Sequence, residues 1–402
     1  MNEQGTFQPR RRPLAWRRWA ILTFALTTTV GGVFLVVSDS PRRLMEQGRL
    51  LLGRDPLQAE RLLVRSIQAA GGDYPEAQLL HCRALAAQQR WPAAAGGFSL
   101  IHRPEQCDPQ DLVALARDAL QHGVPLLADM CLKAAPTVGP HRADVLRLLL
   151  PLHLQEERLR EALHDGRELA ELAPQDPLPW RVMATAHRMR HEPALAIDDL
   201  RQALERSATG LPTDAIRGEL VDDLLETGDL AEARRQLDLL LAGADPVPEA
   251  HVRNGHLLRL EGRPEDALQA VERALVKRRG YSGALYLRGT LRFDLGQPEQ
   301  AESDLEAVVR LMPFNGEAHY KLAQILRKLG RETEADEHQR RSREISQAEL
   351  EIATLKEQLA KDRDNRELAS RLAELLEKIG RQDEAERVRT ALERLGEASA
   401  PP

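Results

Sequence analysis

The chain has 402 residues, of which 42% are hydrophobic, 29% are charged and only 3% are aromatic. Its 56 Lys and Arg against 62 Asp and Glu give a net charge of −6, which argues against a nucleic-acid-binding protein, since that class carries a basic excess. Three cysteines exclude a disulfide framework and a four-cysteine zinc module. Abundant Ala, Leu, Arg and Glu with few β-branched runs predict an all-α protein.

An apolar run without charged residues occupies residues 19–37, with the sequence WAILTFALTTTVGGVFLVV. As a helix it would span about 28 Å, close to the hydrocarbon core of a bilayer. Five arginines precede it, and Trp16 and Trp19 lie at the level of the membrane interface. The run therefore predicts a single transmembrane helix. A cleaved signal peptide is the competing interpretation, but the run is long for one and Val36-Val37-Ser38 is a poor cleavage site.

The orientation of this helix follows from the charges on either side of it. Arginines also follow the span closely, so the charge bias alone does not decide the orientation. An arginine-rich tail is hard to translocate, however, so we expect residues 1–18 to be a basic cytoplasmic tail. Residues 38–45 then form a juxtamembrane linker. The rest of the chain is expected on the non-cytoplasmic side, periplasmic or extracellular.

A fixed period begins beyond the linker. The segments GDLAEA (228–233), GRPEDA (262–267), GQPEQA (296–301) and GRETEA (330–335) recur every 34 residues. The position of the final alanine in each segment recurs along the chain, and ten alanines occupy it. These alanines are Ala59, Ala94, Ala128, Ala162, Ala196, Ala233, Ala267, Ala301, Ala335 and Ala385.

Two other positions of the repeat carry residue types that a pair of closely packed helices requires. Five residues before the alanine, six units carry glycine, which suits the left-handed residue that ends a helix. Twelve residues before it, the side chain is small where two helices must cross closely. The glycines are Gly123, Gly228, Gly262, Gly296, Gly330 and Gly380. The small residues are Cys82, Ala116, Ala184, Gly255, Gly289, Ala323 and Ala373.

With these features the chain resembles the tetratricopeptide repeat proteins. The best match is LYLRGTLRFDLGQPEQAESDLEAVVRLMPFN (285–315), where Gly289, Gly296, Ala301 and Pro313 occupy the family's positions. The resemblance implies an α-solenoid of about ten helix pairs over residues 46–396. The transmembrane helix predicted from the apolar run precedes this solenoid.

One insertion interrupts the period, because Ala335 and Ala385 are 50 residues apart. Residues 333–361 contain no Gly or Pro, and this predicts one long helix. Its apolar residues at 345–359 follow a 3-4 spacing, which favours packing on neighbouring helices; a dimer seam is the alternative. Residues 397–402 are expected to be a disordered tail.

Sequence motifs for catalysis and metal binding are absent from the chain. His187 and His191 have the i, i+4 spacing of a metal pair, but no third ligand has an evident place, so structural roles are favoured. Cys107 and Cys131 could pair outside the cytoplasm, and free thiols are the favoured alternative. We therefore predict a protein that is not an enzyme and that holds no metal and no cofactor.

The resemblance also implies a binding surface on the first helices, through positions two, five, nine, twelve and thirteen of each unit. Arginine at such positions can bind carboxylates, and aromatic side chains can serve as apolar anchors. The alternative is that these arginines pair with local carboxylates. The groove residues carried over in this way are Arg83, Arg117, Arg147, Arg181, Arg188, Arg259, Arg327, Tyr286, Phe293 and Tyr320.

These features together predict a membrane-anchored, non-catalytic scaffold. Its partners would be proteins or extended peptide segments, held beside the membrane to which residues 19–37 anchor the chain. The alternative is an accessory factor for export or envelope biogenesis that binds unfolded client segments, as a holdase does. A scaffold should retain one or two folded partners, whereas a holdase should suppress the aggregation of many.

Overall fold

A computed structural model describes residues 40–207, 211–243, 245–362 and 365–398. These residues form twenty α-helices and no β-strand, which confirms the predicted all-α class. In chain order the helices are α1 Pro41–Leu51, α2 Pro56–Ala69, α3 Pro75–Ala87, α4 Trp91–Ser99, α5 Pro109–Gln121, α6 Pro125–Ala134, α7 Arg142–Gln155, α8 Leu159–Leu172, α9 Leu178–Met189, α10 Pro193–Arg206, α11 Leu211–Thr227, α12 Leu230–Leu241, α13 Pro248–Leu260, α14 Pro264–Lys277, α15 Ser282–Asp294, α16 Pro298–Leu311, α17 Gly316–Lys328, α18 Glu332–Lys361, α19 Arg366–Lys378 and α20 Gln382–Ala398.

The chain divides into two compact bodies, one ending at His191 and one beginning at Glu192. Within each body, short connections turn consecutive helices back on one another, and odd-numbered helices pack on the even-numbered helices that follow them. The odd-numbered helices also contact each other in sequence. In the first body these are α1, α3, α5, α7 and α9, and in the second α11, α13, α15 and α17. The predicted solenoid of helix pairs is therefore confirmed within each body.

The alanine frame marks the places where paired helices cross. All ten alanines of the series are buried, as are the small residues twelve positions earlier. At Gly255, for example, an added β-carbon would lie 2.6 Å from Cγ2 of Val271 on the partner helix. Small residues are needed here because the two backbones approach too closely for a larger side chain.

The first helix of nearly every unit ends in a left-handed residue. All six glycines of the frame have positive φ, between 70° and 83°. In three further units the same position carries Gln89, Glu157 and His191, with φ of 61°, 54° and 59°. The turn is thus kept where glycine is absent, at a steric cost to the backbone.

Several predicted boundaries change in the structure. Helix α1 begins at Pro41, so residues 41–45 of the predicted linker are helical, because Ser40 and Pro41 start a helix whose Leu44 and Met45 are buried. Helix α20 continues to Ala398, two residues into the predicted tail. The predicted segments 1–18 and 19–37 lie outside the described residues. None of the twenty described helices combines the length and the apolar character needed to cross a membrane.

The predicted long helix is confirmed as α18, which has 30 residues. Ile345, Ala348, Ile352 and Leu355 are buried, and the last three belong to a core cluster with residues of α19 and α20. The stripe within 345–359 is thus covered by the chain itself. This favours packing on neighbouring helices over a dimer seam, because the apolar area that a seam would need is already buried.

Candidate functional site

In the second body, three adjacent first helices carry a row of predicted groove residues. Arg259 lies near the end of α13, Tyr286 and Phe293 lie on α15, and Tyr320 lies on α17. Because α13 contacts α15 and α15 contacts α17, residues at equivalent positions are neighbours across the row. We call this surface, with Thr290 and Lys321 described below, the aromatic stripe.

Tyr286 is the central member of the aromatic stripe. It is half-buried and packs against the core of its body. Burial raises the pKa of its hydroxyl; the Glu317 carboxylate on α17 raises it further, and the Arg259 guanidinium on α13 opposes both. Tyr286 therefore interacts electrostatically with one acidic and one basic residue, which lie on the two helices that flank its own.

The two other aromatic residues offer apolar surface at the stripe. Phe293 is half-buried, and the ammonium of Lys321 lies 5.4 Å from the centroid of its ring. Tyr320 leaves 48% of its surface exposed. The core holds the half-buried Phe293 ring in place while one side stays available for contact, and the exposed Tyr320 ring adds apolar surface next to it.

Thr290 adds a polar group between Tyr286 and Phe293 on α15, and sequence reasoning missed it. Its residue surface is only 7% exposed, and its hydroxyl has no hydrogen-bond partner among the described residues. Because the hydroxyl oxygen itself is also buried, Thr290 belongs to the packed base of this surface and not to its exposed part. Thr290 occupies position nine of its unit, and that position was the signal that could have identified it.

The arginines of the predicted groove differ in their surroundings. Arg259 and Arg117 are exposed and form no ion pair with any residue the structure describes. Arg327 is also exposed, but its guanidinium lies 3.0 Å from Asp336 on α18. Of the three, Arg259 is the member of the aromatic stripe whose guanidinium forms no ion pair within the described residues.

In the first body, two predicted arginines are bound within the chain. Arg83 pairs with Asp111, a buried carboxylate that Arg49 also contacts at 2.9 Å. Arg147 contacts Asp176 at 2.7 Å and Asp144 at 2.9 Å. The hydrogen bond to Asp176 raises the pKa of Arg147 most, and the Asp144 carboxylate adds to the shift.

The other two arginines of the first body lie on α9. Arg181 is exposed, and Arg188 is half-buried seven residues later. Five of the ten predicted groove residues therefore lie in each body, and the aromatic residues all belong to the second.

One group of three candidate metal ligands occurs within the described parts of the chain, namely His164, Asp165 and Glu168. Asp165 accepts a hydrogen bond from His153 at 3.0 Å. Glu168 accepts two hydrogen bonds of 2.7 Å from Arg142, which lowers the pKa of the carboxyl. Both carboxylates are thus engaged by the protein, and an adjacent guanidinium opposes the binding of a cation.

The spacing of His187 and His191 does not produce a pair on one helix face. Helix α9 ends at Met189, and His191 follows in the left-handed conformation, whereas His187 is buried. The prediction that the two histidines share one helix face is therefore wrong, because the helix ends before His191.

All three cysteines are free and buried in one apolar cluster of the first body. Burial raises the pKa of both Cys82 and Cys107 to about 12, and it raises the pKa of Cys131 as well. At neutral pH these residues are thiols, which are poor nucleophiles. The suggested Cys107–Cys131 disulfide is not formed, and both side chains serve as core residues.

Comparisons with known proteins agree with this architecture. The family model described as Tetratricopeptide repeat matches residues 219–283 and 286–349, which include the helices of the aromatic stripe. These residues are therefore tetratricopeptide repeats, a fold typical of protein–protein interaction scaffolds. Comparison with curated proteins finds no sequence match.

One solved structure supports this fold, and two others are similar to parts of the chain. A tetratricopeptide repeat protein from Parabacteroides merdae ATCC 43184 is 15% identical, with a TM-score of 0.52 over 59% of this chain and 93% of that one. A chain of the APC/C hetero-tetramer Cut9-Hcn1 is 15% identical over 77% of this chain, which spans only 54% of that one, with a TM-score of 0.47. PilW, titled a type IV pilus biogenesis factor, is 18% identical over 50% of this chain and 91% of its own, with a TM-score of 0.44.

Proposed function

We propose that this chain is a membrane-anchored, non-catalytic scaffold that binds an extended segment of a protein partner along the aromatic stripe. The observation that carries the proposal is the row formed by Tyr286, Phe293 and Tyr320 on adjacent first helices, beside the unpaired Arg259. Aromatic and arginine side chains are the ones that most often dominate the affinity of protein interfaces.

Each part of the stripe supports a different contact. The half-buried rings of Tyr286 and Phe293 offer rigid apolar surface, which a partner can cover at a low cost in conformational entropy. Arg259 offers a planar guanidinium to a carboxylate of the partner. The ligand that fits these groups is an extended segment with apolar side chains and an acidic residue near α13.

The membrane anchor in this proposal rests on residues 19–37. Their length, their lack of charge and the flanking tryptophans and arginines support an uncleaved helix. The arginine-rich tail supports a cytoplasmic N-terminus, with the repeats on the other side. A reporter that is active only outside the cytoplasm, fused after Pro402, should then be active. Activity of a cytoplasm-only reporter at the same point would overturn this orientation.

The binding proposal is tested by partner capture with the full chain, extracted in detergent through a C-terminal tag. The variant Tyr286→Ala, Phe293→Ala, Tyr320→Ala should lose about tenfold or more of its retained partner, because these residues are proposed as the anchors. The matched control is Leu239→Ala, Val276→Ala, Leu311→Ala, which removes exposed apolar side chains from α12, α14 and α16.

Two results of this experiment would contradict the proposal. Equal recovery of the partner by both triple variants would show that the aromatic stripe is not the binding surface. Retention of many unrelated unfolded chains by the unaltered protein, with suppression of their aggregation, would identify a holdase instead of a scaffold. Retention of one or two partners that depend on the stripe is the expected outcome.

A further inference from the structure

The first helix pair of the chain, α1 and α2, differs in charge from the rest of the protein. Residues 41–70, which contain both helices, hold six arginines against three acidic residues. The first 70 residues together hold eleven arginines against five acidic residues, although the whole chain has a net charge of −6. The remaining chain is therefore strongly acidic, and the positive charge is concentrated at one end.

Much of this positive charge is available at the surface. Arg42 on α1, Arg54 in the connecting turn and Arg61 on α2 are exposed and form no ion pair with any described residue. Of the three acidic residues, Glu60 is already engaged by Arg90 at 3.0 Å, and the Asp55 carboxylate caps α2 by accepting from the Gln58 amide. Glu46 is the remaining acidic residue of the pair.

Two large apolar side chains are exposed on the same helix pair. Leu50, near the end of α1, is 77% exposed, and Leu57, near the start of α2, is 59% exposed. The outer face of a terminal repeat is ordinarily polar, because no further repeat covers it. Exposed leucines together with unpaired arginines are instead typical of helices that lie at the membrane interface, between the lipid headgroups and the acyl chains.

The position of the helix pair also brings it close to the proposed anchor. Only residues 38–40 separate the apolar run at 19–37 from Pro41, and three residues reach about 10 Å at most. The Ser66 hydroxyl of α2 donates a hydrogen bond of 2.6 Å to the Pro41 carbonyl, which ties the start of α1 to α2. A helix that ends at residue 37 would therefore hold both helices near the bilayer surface.

We propose that α1 and α2 lie on the surface of an anionic phospholipid bilayer, with Arg42, Arg54 and Arg61 on the headgroups and Leu50 and Leu57 at the acyl boundary. This proposal rests on the membrane anchor of the proposed function. Lipid phosphates attract the guanidinium groups, and the leucines then enter the interface. The first repeat thereby serves to orient the chain on the membrane rather than to bind a protein partner.

The test uses the full chain in lipid nanodiscs, labelled with a fluorophore at Leu50→Cys. The natural cysteines are buried and stay unlabelled under native conditions. Nanodiscs contain a lipid with a quencher near the headgroup, in phosphatidylcholine alone or mixed with phosphatidylglycerol. We expect at least about threefold stronger quenching in the anionic bilayer, and its loss in about 0.5 M salt. A label at Val276→Cys, an 82% exposed position on α14, should show neither effect.

A charge-reversed variant provides the second comparison. Arg42→Glu, Arg54→Glu, Arg61→Glu should abolish the quenching at position 50. The control Arg160→Glu, Arg235→Glu, Arg310→Glu makes the same change in net charge at exposed positions elsewhere and should preserve it. Equal quenching in both variants would overturn the proposal.

The outcomes separate this proposal from the anchor. If the chain resists alkaline extraction from anionic vesicles but Leu50→Cys is not quenched, α1 and α2 do not lie on the membrane, and only this proposal fails. If alkaline extraction releases the chain, the anchor fails and this proposal fails with it. Quenching that depends on protein concentration and persists in phosphatidylcholine would identify a second copy of the chain as the occupant of this surface, which also overturns the proposal.

Discussion

A β-carbon added to Gly289 would lie 2.0 Å from Cδ2 of Leu305, where α15 and α16 cross. The carbonyl oxygen of Ala301 would lie 3.3 Å from the added β-carbon, so backbone as well as a side chain fills the space next to Gly289. Leu305 is fully buried and cannot move aside into solvent. The crossing of this repeat therefore depends on the absence of a side chain at position 289.

Replacing Gly289 with alanine should destabilise its repeat. Overpacking costs about 1–3 kcal/mol, whereas the better helix propensity of alanine recovers about 1 kcal/mol, so the loss prevails. Because a repeat contacts mainly its neighbours, faster hydrogen exchange should be concentrated in α15 and α16. Uniform loss of protection over the whole chain would contradict the assigned repeat frame.

The matched control is Gly96→Ala in α4. An added β-carbon there meets no atom within 4 Å, so only the gain in helix propensity remains. We expect a stabilisation of up to about 1 kcal/mol, seen as a higher midpoint in denaturant. Destabilisation by both substitutions would show that close crossing is not the reason for glycine at position 289.

Three turns should become more stable on substitution by glycine. Gln89, Glu157 and His191 hold the left-handed conformation that glycine adopts in six other units. Relief of the steric strain outweighs the added flexibility of the unfolded chain, so each variant should gain about 0.5–1 kcal/mol. Separate thermal melts of the three variants provide the measurement. A lower melting temperature for all three would indicate that these side chains make contacts worth more than the strain.

Stability should fall as the pH decreases below neutrality. Burial lowers the pKa of His319; the nearby His338 and Arg341 lower it further, and a hydrogen bond to the Pro313 carbonyl opposes these effects. Its Nδ1 lies 2.8 Å from Nδ1 of His338, a contact that requires one of the two nitrogens to be unprotonated.

The sign of the pH dependence of stability follows from the lowered pKa of His319. Near pH 6.5 the unfolded chain binds a proton at His319 more readily than the folded chain, so stability is complete above that pH and decreases as the pH falls through it. Burial also lowers the pKa of His81, His251 and His256, which act in the same direction. Melting temperatures at pH 7.5 and 5.5 should differ less in His319→Gln than in the unaltered chain. The exposed control His102→Gln should keep the full difference.

The repeat could be predicted from the sequence because its determinants recur. Glycine at the turn and alanine at the crossing stand at fixed intervals, and both are confirmed at Gly296 and Ala301. The left-handed turn at Glu157 could not be predicted, since the sequence reveals this conformation only where glycine adopts it. The spacing of residues thus identifies positions where only a small residue fits. It does not identify positions where a larger residue adopts a strained backbone conformation.

The binding surface was less predictable, because the partners of a side chain depend on tertiary structure. Arg147 and Arg259 were both carried over as groove residues, yet Arg147 is held by Asp176, which lies 29 residues away in sequence. No fixed period places such an acidic residue, so the sequence could not separate the paired arginine from the unpaired one. The unpaired Thr290 hydroxyl likewise becomes evident only when the surrounding helices are in place.

The central claim is that a protein partner lies on the aromatic stripe, and site-specific photo-crosslinking tests it most directly. A photoreactive amino acid in place of Tyr320, in the membrane-bound chain, should capture one distinct partner, and Arg259→Glu should weaken that capture. The same reactive group at Val276, on the exposed side of α14, should capture nothing specific. Equal products from the two positions, or no product at position 320, would contradict the account.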